Sequence, residues 1–552
     1  MARADRKAAA AESAKTGVMT HRQIMFVLFG LMSGMFLSAL DQSVVGTAMR
    51  TIADDLNGLS AQAWVTTAYL ITSTIATPIY GKLGDIFGRR YLFITAISIF
   101  IVGSVISGFA NTMYELAAYR AIQGVGAGGL FALALTILAD IVPPKDRARY
   151  QGMFLAVFGT SSVLGPLIGG LLAGVDSFLG ITGWRWIFLM NLPIGALALI
   201  MVVSFLHIPH HEAKSKTIDW WGVVTIIIGV VPLLLVAEQG REWGWTSTNS
   251  MIAYVTGVIG IIAFIFVERK MKEDAILPLH LFKSSTFSLT TLLGVIVGIG
   301  MFGGMISLPL VLQIVYGATP TEAGYLMIPM VIGMMSASII SGRITGNTGK
   351  YKIFMILGTA FMFISYIYLS TLNYDWEIWQ ISIGMVFMGL GLGQMMQTLT
   401  IASQNAVEAK DIGVATSSST FFRQMGGTLG VAIFLSILFN SLADKAGQMK
   451  DAIFKAIQAN PTLVSDPKNA EFFQAEDPAA LIQTDSSFLN RISPELANPI
   501  KQAFAESAVT VFFTASFVVL AAFALTWFIK ELALRTKSGV QEKAEQAASS
   551  MH

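Results

Sequence analysis

Apolar residues run along this chain in long blocks separated by short polar loops, and fourteen blocks are long enough to cross a bilayer. At about 20 residues per crossing, helices are predicted over 24–46, 61–80, 91–110, 115–139, 149–174, 184–206 and 219–237. The series continues over 251–267, 287–314, 322–344, 353–372, 378–401, 413–440 and 507–529. The shortest, 219–237 and 251–267, are flanked by charge. Residues 441–505 break the rhythm with five prolines, eight acids and six bases. They read either as a solvated hairpin extending the last two helices or as a lid that guides a lipophilic molecule off the outer face. The predicted fold class is an all-α membrane protein with fourteen transmembrane helices.

Lys and Arg in the short loops orient the bundle. With the N-terminus inside, the inner short loops hold sixteen and the outer ones three, Arg50, Arg185 and Arg241. Both termini are therefore expected in the cytosol, with the protein multi-pass in the cytoplasmic (inner) membrane. The polar, basic stretch 1–23 precedes a full-length span, so it reads as a tail and not as a cleaved signal peptide. Composition agrees: 54% of the 552 residues are apolar and 13% charged, with a mean hydropathy of +0.65. Soluble domains carry roughly 25% charged residues. A net charge of +2 makes no case for nucleic acid, and the absence of cysteine excludes disulfides and thiolate chemistry. The 27 methionines suit packing, or a pocket that accepts varied ligands.

An internal repeat organises the spans. Gly81 opens "GKLGDIFGRR" and Gly342 opens "GRITGNTGKYK", 261 residues apart, and Gly165 and Gly426 share that offset. Gly124, Gly126 and Gly128 match Gly389, Gly391 and Gly393 at an offset of 265. Two pseudo-symmetric six-helix halves follow, with two inserted central helices. The expected divisions are a tail 1–23, a first half 24–206 and a linker with the inserted helices 207–267. A second half 268–530, containing 441–505, and a tail 531–552 complete the chain. Repeated halves are how secondary transporters build a mid-membrane site that rocks between two faces.

One span carries an acid away from its ends. Asp41 lies 17 residues past Ile24, about 25 Å along an inside-to-outside helix. A carboxylate in hydrocarbon costs several kcal/mol unless paired or protonated, which marks it for function. Arg120 enters from outside, five residues into its span and so about 8 Å deep. Both belong to the outer half of the membrane. A guanidinium favours the ionised acid and desolvation the neutral one, so closing a cavity around Asp41 would swing its proton affinity. The plainer reading is a static ion pair bracing two helices. In the loop, Gly81, Gly84 and Gly88 permit close helix ends. Asp85 is placed to accept helix-start amides, and Arg89 and Arg90 to pair with an acid or with lipid phosphates.

"GKLGDIFGRR" resembles the signature loop of the major facilitator superfamily. "YRAIQGVGAGG", holding Arg120, Gln123 and Gly124, resembles its fourth-helix motif. "GTSSVLGPLIGGLL" resembles its antiporter motif through Gly159, Gly165, Pro166, Gly169 and Gly170, and "LDQSVVGTAM" the first-helix motif of drug/proton antiporters. "WRWIFLMNLPIG" and "DWWG" resemble markers of the fourteen-span drug/proton antiporters. One departure is Arg50, where that family has a proline; it puts a positive charge near the outer mouth and weakens any preference for cations.

The resemblance implies a proton-coupling role for Asp41 and Arg120, a cytosolic gate in the Gly81–Arg90 loop, and a fifth-helix bend that seals the cavity. It also puts Trp64, Tyr69, Phe421 and Phe422 on cavity-side helices. The second half has no counterpart of the acid, because the repeat offsets from Asp41 land on Phe302 and Ile306. Arg423 is its only deep basic residue; it reads either as a packed stem whose head finds carbonyls or Gln394 and Gln397 across the cavity, or as a substrate or coupling residue. No nucleotide-binding loop, metal-ligand pattern or catalytic triad is visible, so an enzyme is not expected. The coupling ion is the proton, with no other cofactor and no metal. The expected partners are lipophilic small molecules and membrane lipids, with no nucleic acid, and the expected state is monomeric. The expected activity is proton-driven export of lipophilic, often cationic compounds by alternating access. The alternative is export of an endogenous lipid, siderophore or metabolite.

Overall fold

The computed structural model describes residues 21–58, 61–206, 217–474, 489–538 and 541–542. The expected tail up to residue 20, the linker 207–216, residues 475–488 of the outer segment and the end of the C-terminal tail lie outside them. The first half contains α1 (His21–Asp55), α2 (Gln62–Phe87), α3 (Arg89–Ser107), α4 (Met113–Ile141), α5 (Pro144–Ala173) and α6 (Asn191–Phe205). The inserted pair is α7 (Trp220–Trp243) and α8 (Thr248–Met271). The second half contains α9 (Ser285–Ile314), α10 (Ile328–Thr348), α11 (Lys352–Leu369), α12 (Ile378–Asn405), α13 (Ile412–Asp444) and α14 (Pro494–Phe528).

Helices are the outcome because hydrocarbon offers the backbone no hydrogen bonds, so each segment must satisfy its own. Among the described residues, thirteen helices are long and apolar enough to cross a membrane. The fourteenth, α2, is 26 residues long and diluted by hydroxyls that bond back to its own turns. Thr72 donates to Ala68 O at 2.8 Å and Thr77 to Ser73 O at 2.9 Å.

Two elements differ from the periodicity. The expected span 184–206 is a helical turn, Trp186–Leu189, followed by α6, and the two-stranded hairpin of Ser177–Phe178 and Ile181–Thr182 precedes it. The last span starts at Pro494, well before 507, so much of 441–505 is helix. The short helix Ala446–Ala459 lies against α14 with Met449 and Ile453 buried. Apolar scoring stops where helices leave the membrane, which is why these extensions looked like loop.

The two halves repeat each other's close packing. In α4, a Cβ on Gly124 would stand 2.5 Å from Tyr69 O of α2, one on Gly126 2.5 Å from Phe100 N of α3, and one on Gly128 2.3 Å from Ser73 O of α2. In α12, Gly389 and Gly393 approach α10 at Met330 O and Met334 O, and Gly391 approaches α11 at Gly358 O. The same alternation brings α5 onto α1 through Gly165 and α13 onto α9 through Gly426. The inserted pair closes on itself where Gly260 meets Gly229, and α7 packs on α2 and α13.

Candidate functional site

Asp41 points from α1 into the first half, where α4 and α6 supply its partners. Its Oδ2 accepts from Arg120 Nη1. Its Oδ1 accepts from Gln123 Nε2 at 2.9 Å and from Asn191 Nδ2 at 2.7 Å. Asp41 is 1% exposed and Arg120 2%, so this is a buried ion pair whose charges are screened by side chains and not by water. Arg120 also donates to Gln123 Oε1 at 2.7 Å, and its guanidinium carbon lies 4.0 Å from the centre of the Tyr69 ring. Tyr69 is anchored through a 2.9 Å hydrogen bond between its hydroxyl and that of Ser38. Asn191 makes a second bond at 2.9 Å to Ser104 Oγ, which in turn donates to Phe188 O. Such a shell gives the Asp41 carboxylate a counter-charge and two amide donors inside an apolar bundle.

Asn191 is the member that the sequence reading missed. Its signal was a polar residue at the start of the apolar run "NLPIGALAL", within a string quoted only as a family marker.

A second charged cluster lies at the end of the bundle that carries the Lys- and Arg-rich loops, the basic end. Arg89 pairs with Asp85 at 2.7 Å and with Asp140 of α4, and donates to Thr136 O at 3.1 Å. Arg90 donates to Val203 O of α6 at 2.7 Å. This cluster meets the second half directly. A Cβ on Gly81 would overlap Ser417 Oγ at 1.9 Å, and one on Gly413 would stand 2.5 Å from Asp85 Oδ1. The Asp85 carboxyl thus sits against the first turn of α13. Gly88 takes a φ of 91°, which only glycine adopts freely, and splits α2 from α3. Arg147 joins the halves again by donating to Gln404 of α12, and Thr77 donates to Gln424 at 3.3 Å.

In α5, Gly165 and Gly169 press on Ser43 and Val44 of α1, while Gly159 faces Val331 of α10. Pro166 stands against Gly324 and Gly170 against Thr321, both on the second half. These residues therefore form one seam between the halves, and α2, α13 and the inserted pair form the other.

The expected cavity residues are dispersed. Tyr69 and Gln123 belong to the buried Asp41 shell. Trp64 is half-buried against the first-half core. Phe421 and Phe422 pack with Phe282, Ile226 and Val230 where α13 meets α2 and α7. Helical phase alone could not reveal that seam, because the inserted pair occupies it. Gln397 accepts from Ser338 at 2.8 Å and Gln394 donates to Leu390 O at 3.2 Å. Arg423 is 8% exposed, and its Nη1 has no hydrogen-bond partner among the described residues. Arg50 faces outward in an exposed pair with Asp54 at 3.9 Å, and α1 continues through it to Asp55.

Comparison with known proteins matches residues 31–431 to the Major Facilitator Superfamily. The chain is similar to Multidrug transporter protein MdtP of Bacillus subtilis (strain 168), with 36% identity over 97% of this chain and 98% of that protein. Multidrug resistance protein 3 of the same organism is 34% identical over 94% of this chain and 98% of its own length. Among solved structures, the proton:xylose symporter XylE bound to 6-bromo-6-deoxy-D-glucose superposes with a TM-score of 0.58. That likeness covers 95% of this chain and 99% of the other at 14% identity, and is one of fold.

Proposed function

The chain belongs to the Major Facilitator Superfamily, and on that premise we propose that it is a proton-coupled antiporter exporting lipophilic, often cationic compounds by alternating access. It is a multi-pass membrane transporter and not an enzyme. The drug-efflux reading is supported by the names of relatives similar over almost their whole length. The coupling reading rests on one observation, the buried Asp41 held by Arg120, Gln123 and Asn191. Asp41 gives up its proton where Arg120 is in reach and takes one when rocking of the halves draws the two apart. The basic end is cytosolic, as are both termini, and the membrane is the cytoplasmic one. There the Asp85–Arg89–Asp140 cluster, pressed on α13, latches the inner face shut. Gly165 to Gly170 keep α5 close to α1 during the swing.

Efflux of a fluorescent cation in everted vesicles tests this reading. Dissipating the pH gradient should collapse it, while withdrawing ATP with the gradient clamped should not. Asp41→Asn combined with Arg120→Gln leaves no orphaned charge, so the protein should reach the membrane and fail to drive uphill transport. Retained uphill transport in that double variant would refute the assignment.

A second reading, export of an endogenous lipid, siderophore or metabolite, is favoured by the outer helix Ala446–Ala459. It presents Phe454, 60% exposed, beside α14. Deleting 450–495 should spare dye efflux under the first reading and impair lipid export under the second.

A further inference from the structure

The inserted helices carry two buried acids that the Asp41 site does not use. Asp219 caps α7, its Oδ1 accepting from Gly222 N at 2.7 Å. Glu268, in the last turns of α8, accepts from Leu277 N at 2.9 Å through Oε2. Asp219 is 2% exposed and Glu268 1%. Among the described residues no donor meets hydrogen-bond geometry with their remaining oxygens, Asp219 Oδ2 and Glu268 Oε1, although the Ile276 amide approaches both carboxyls. A Cβ built on Gly222 would stand 2.4 Å from the first and 3.0 Å from the second, so both oxygens flank one small volume. Two half-satisfied buried carboxylates cannot both ionise cheaply. With a proton on one, its O–H becomes a donor and the other oxygen an acceptor, and both orphaned atoms are satisfied together.

We propose that Asp219 and Glu268 form a second proton-binding site, holding one proton between Asp219 Oδ2 and Glu268 Oε1 at the basic end of the inserted pair. The proton comes from water and returns to it, and no other bond changes. Burial pushes the Asp219 carboxyl up from its ordinary value, while the Gly222 amide, Lys82 and the Ile276 amide act against this. The charged neighbours are Lys82 from α2, Asp274 and Glu273 from the connection after α8, and Asp85, Asp411 and Lys410 beside α13. Lys82 is bonded to that same connection, donating to Glu273 O. Losing the shared proton therefore puts two like charges across Gly222, strains residues 272–278 and loosens the grip of that connection on the Gly81–Arg90 loop. The site goes beyond the coupling role proposed for Asp41 and does not depend on it.

Infrared difference spectroscopy of the full chain in lipid nanodiscs, titrated with pH, tests the site through its protonated carboxyl band. The native protein should keep such a band at pH values where free carboxylates, with pKa values of about 4, are ionised. Glu268→Gln should remove it. So should Asp219→Asn, which preserves a good helix cap, whereas Asp41→Asn should leave it in place. A band that survives either of the first two substitutions, or acids that ionise together in the ordinary range, would overturn the proposal. Failure of Asp41 as the coupling residue would show only in the transport assay, so the two outcomes are separable. Because the chain has no cysteine, Ser417→Cys places a single thiol in the Gly81 contact. Its maleimide labelling, referred to Gly447→Cys to correct for thiolate formation, should speed up several-fold as pH rises and lose that dependence with Glu268→Gln. A pH response unchanged by Glu268→Gln would sever the site from the latch.

Discussion

Replacing Asp41 by Asn keeps the side chain's shape but turns the oxygen facing Arg120 Nη1 into a donor. Oδ1 retains Gln123 and Asn191, so the loss falls on Arg120. That guanidinium is 2% exposed and would be left with Gln123 Oε1 at 2.7 Å and the Tyr69 ring at 4.0 Å. Removing one partner of a buried ion pair costs about 3–5 kcal/mol, most of it the uncompensated charge left behind. Arg120→Gln should cost a similar amount by orphaning Asp41. The double variant orphans neither charge, so its loss should fall short of the sum by at least about 2 kcal/mol, a coupling expected only of groups in contact. Reversible unfolding of the four proteins in mixed micelles measures the cycle. Additivity within about 0.5 kcal/mol would show that the two side chains do not sustain each other.

Other substitutions probe the frame around that pair. Gly126→Ala should destabilise the first half by a few kcal/mol, since the new methyl meets Phe100 N at 2.5 Å and backbone cannot yield cheaply. Gly447→Ala, in an outer helix with open space around it, should be neutral or stabilise by about 0.5–1 kcal/mol; thermal unfolding in detergent compares the two. Gly81→Ala should hold the basic end apart, because its methyl overlaps Ser417; faster thiol labelling at Ser417→Cys would report it. Glu531→Ala removes a carboxylate that accepts from Tyr351 N at 2.8 Å and Lys352 N at 3.0 Å at the start of α11. The expected cost is about 1 kcal/mol, read as a lower unfolding midpoint with transport retained.

The Asp41–Arg120 pair was legible because both are charged residues in apolar blocks at matching depth. The first-helix acid, the Gly81–Arg90 loop and the glycine repeats announced themselves by residue type and spacing. Asn191 did not, since an amide in an apolar run is compatible with capping, kinking or bonding to any neighbour. Asp140, which shares Arg89 with Asp85, sits in "LADIVPP" with no local sign of its partner. Phe421 and Phe422 could be assigned to a face only by knowing what covers it, and the covering element is the inserted pair.

Apolar block length and loop charge are local properties, so the chain alone determined the long apolar helices and their expected orientation; hydrocarbon leaves the backbone no other solution. Partnership among polar groups is not local. The donors that hold Asp41 lie 79, 82 and 150 residues away, and the two orphaned acid oxygens beside Gly222 become a pair only when α7 and α8 close. Those juxtapositions depend on helix-to-helix distances set by glycines and on which faces meet, and only the packed bundle decided them.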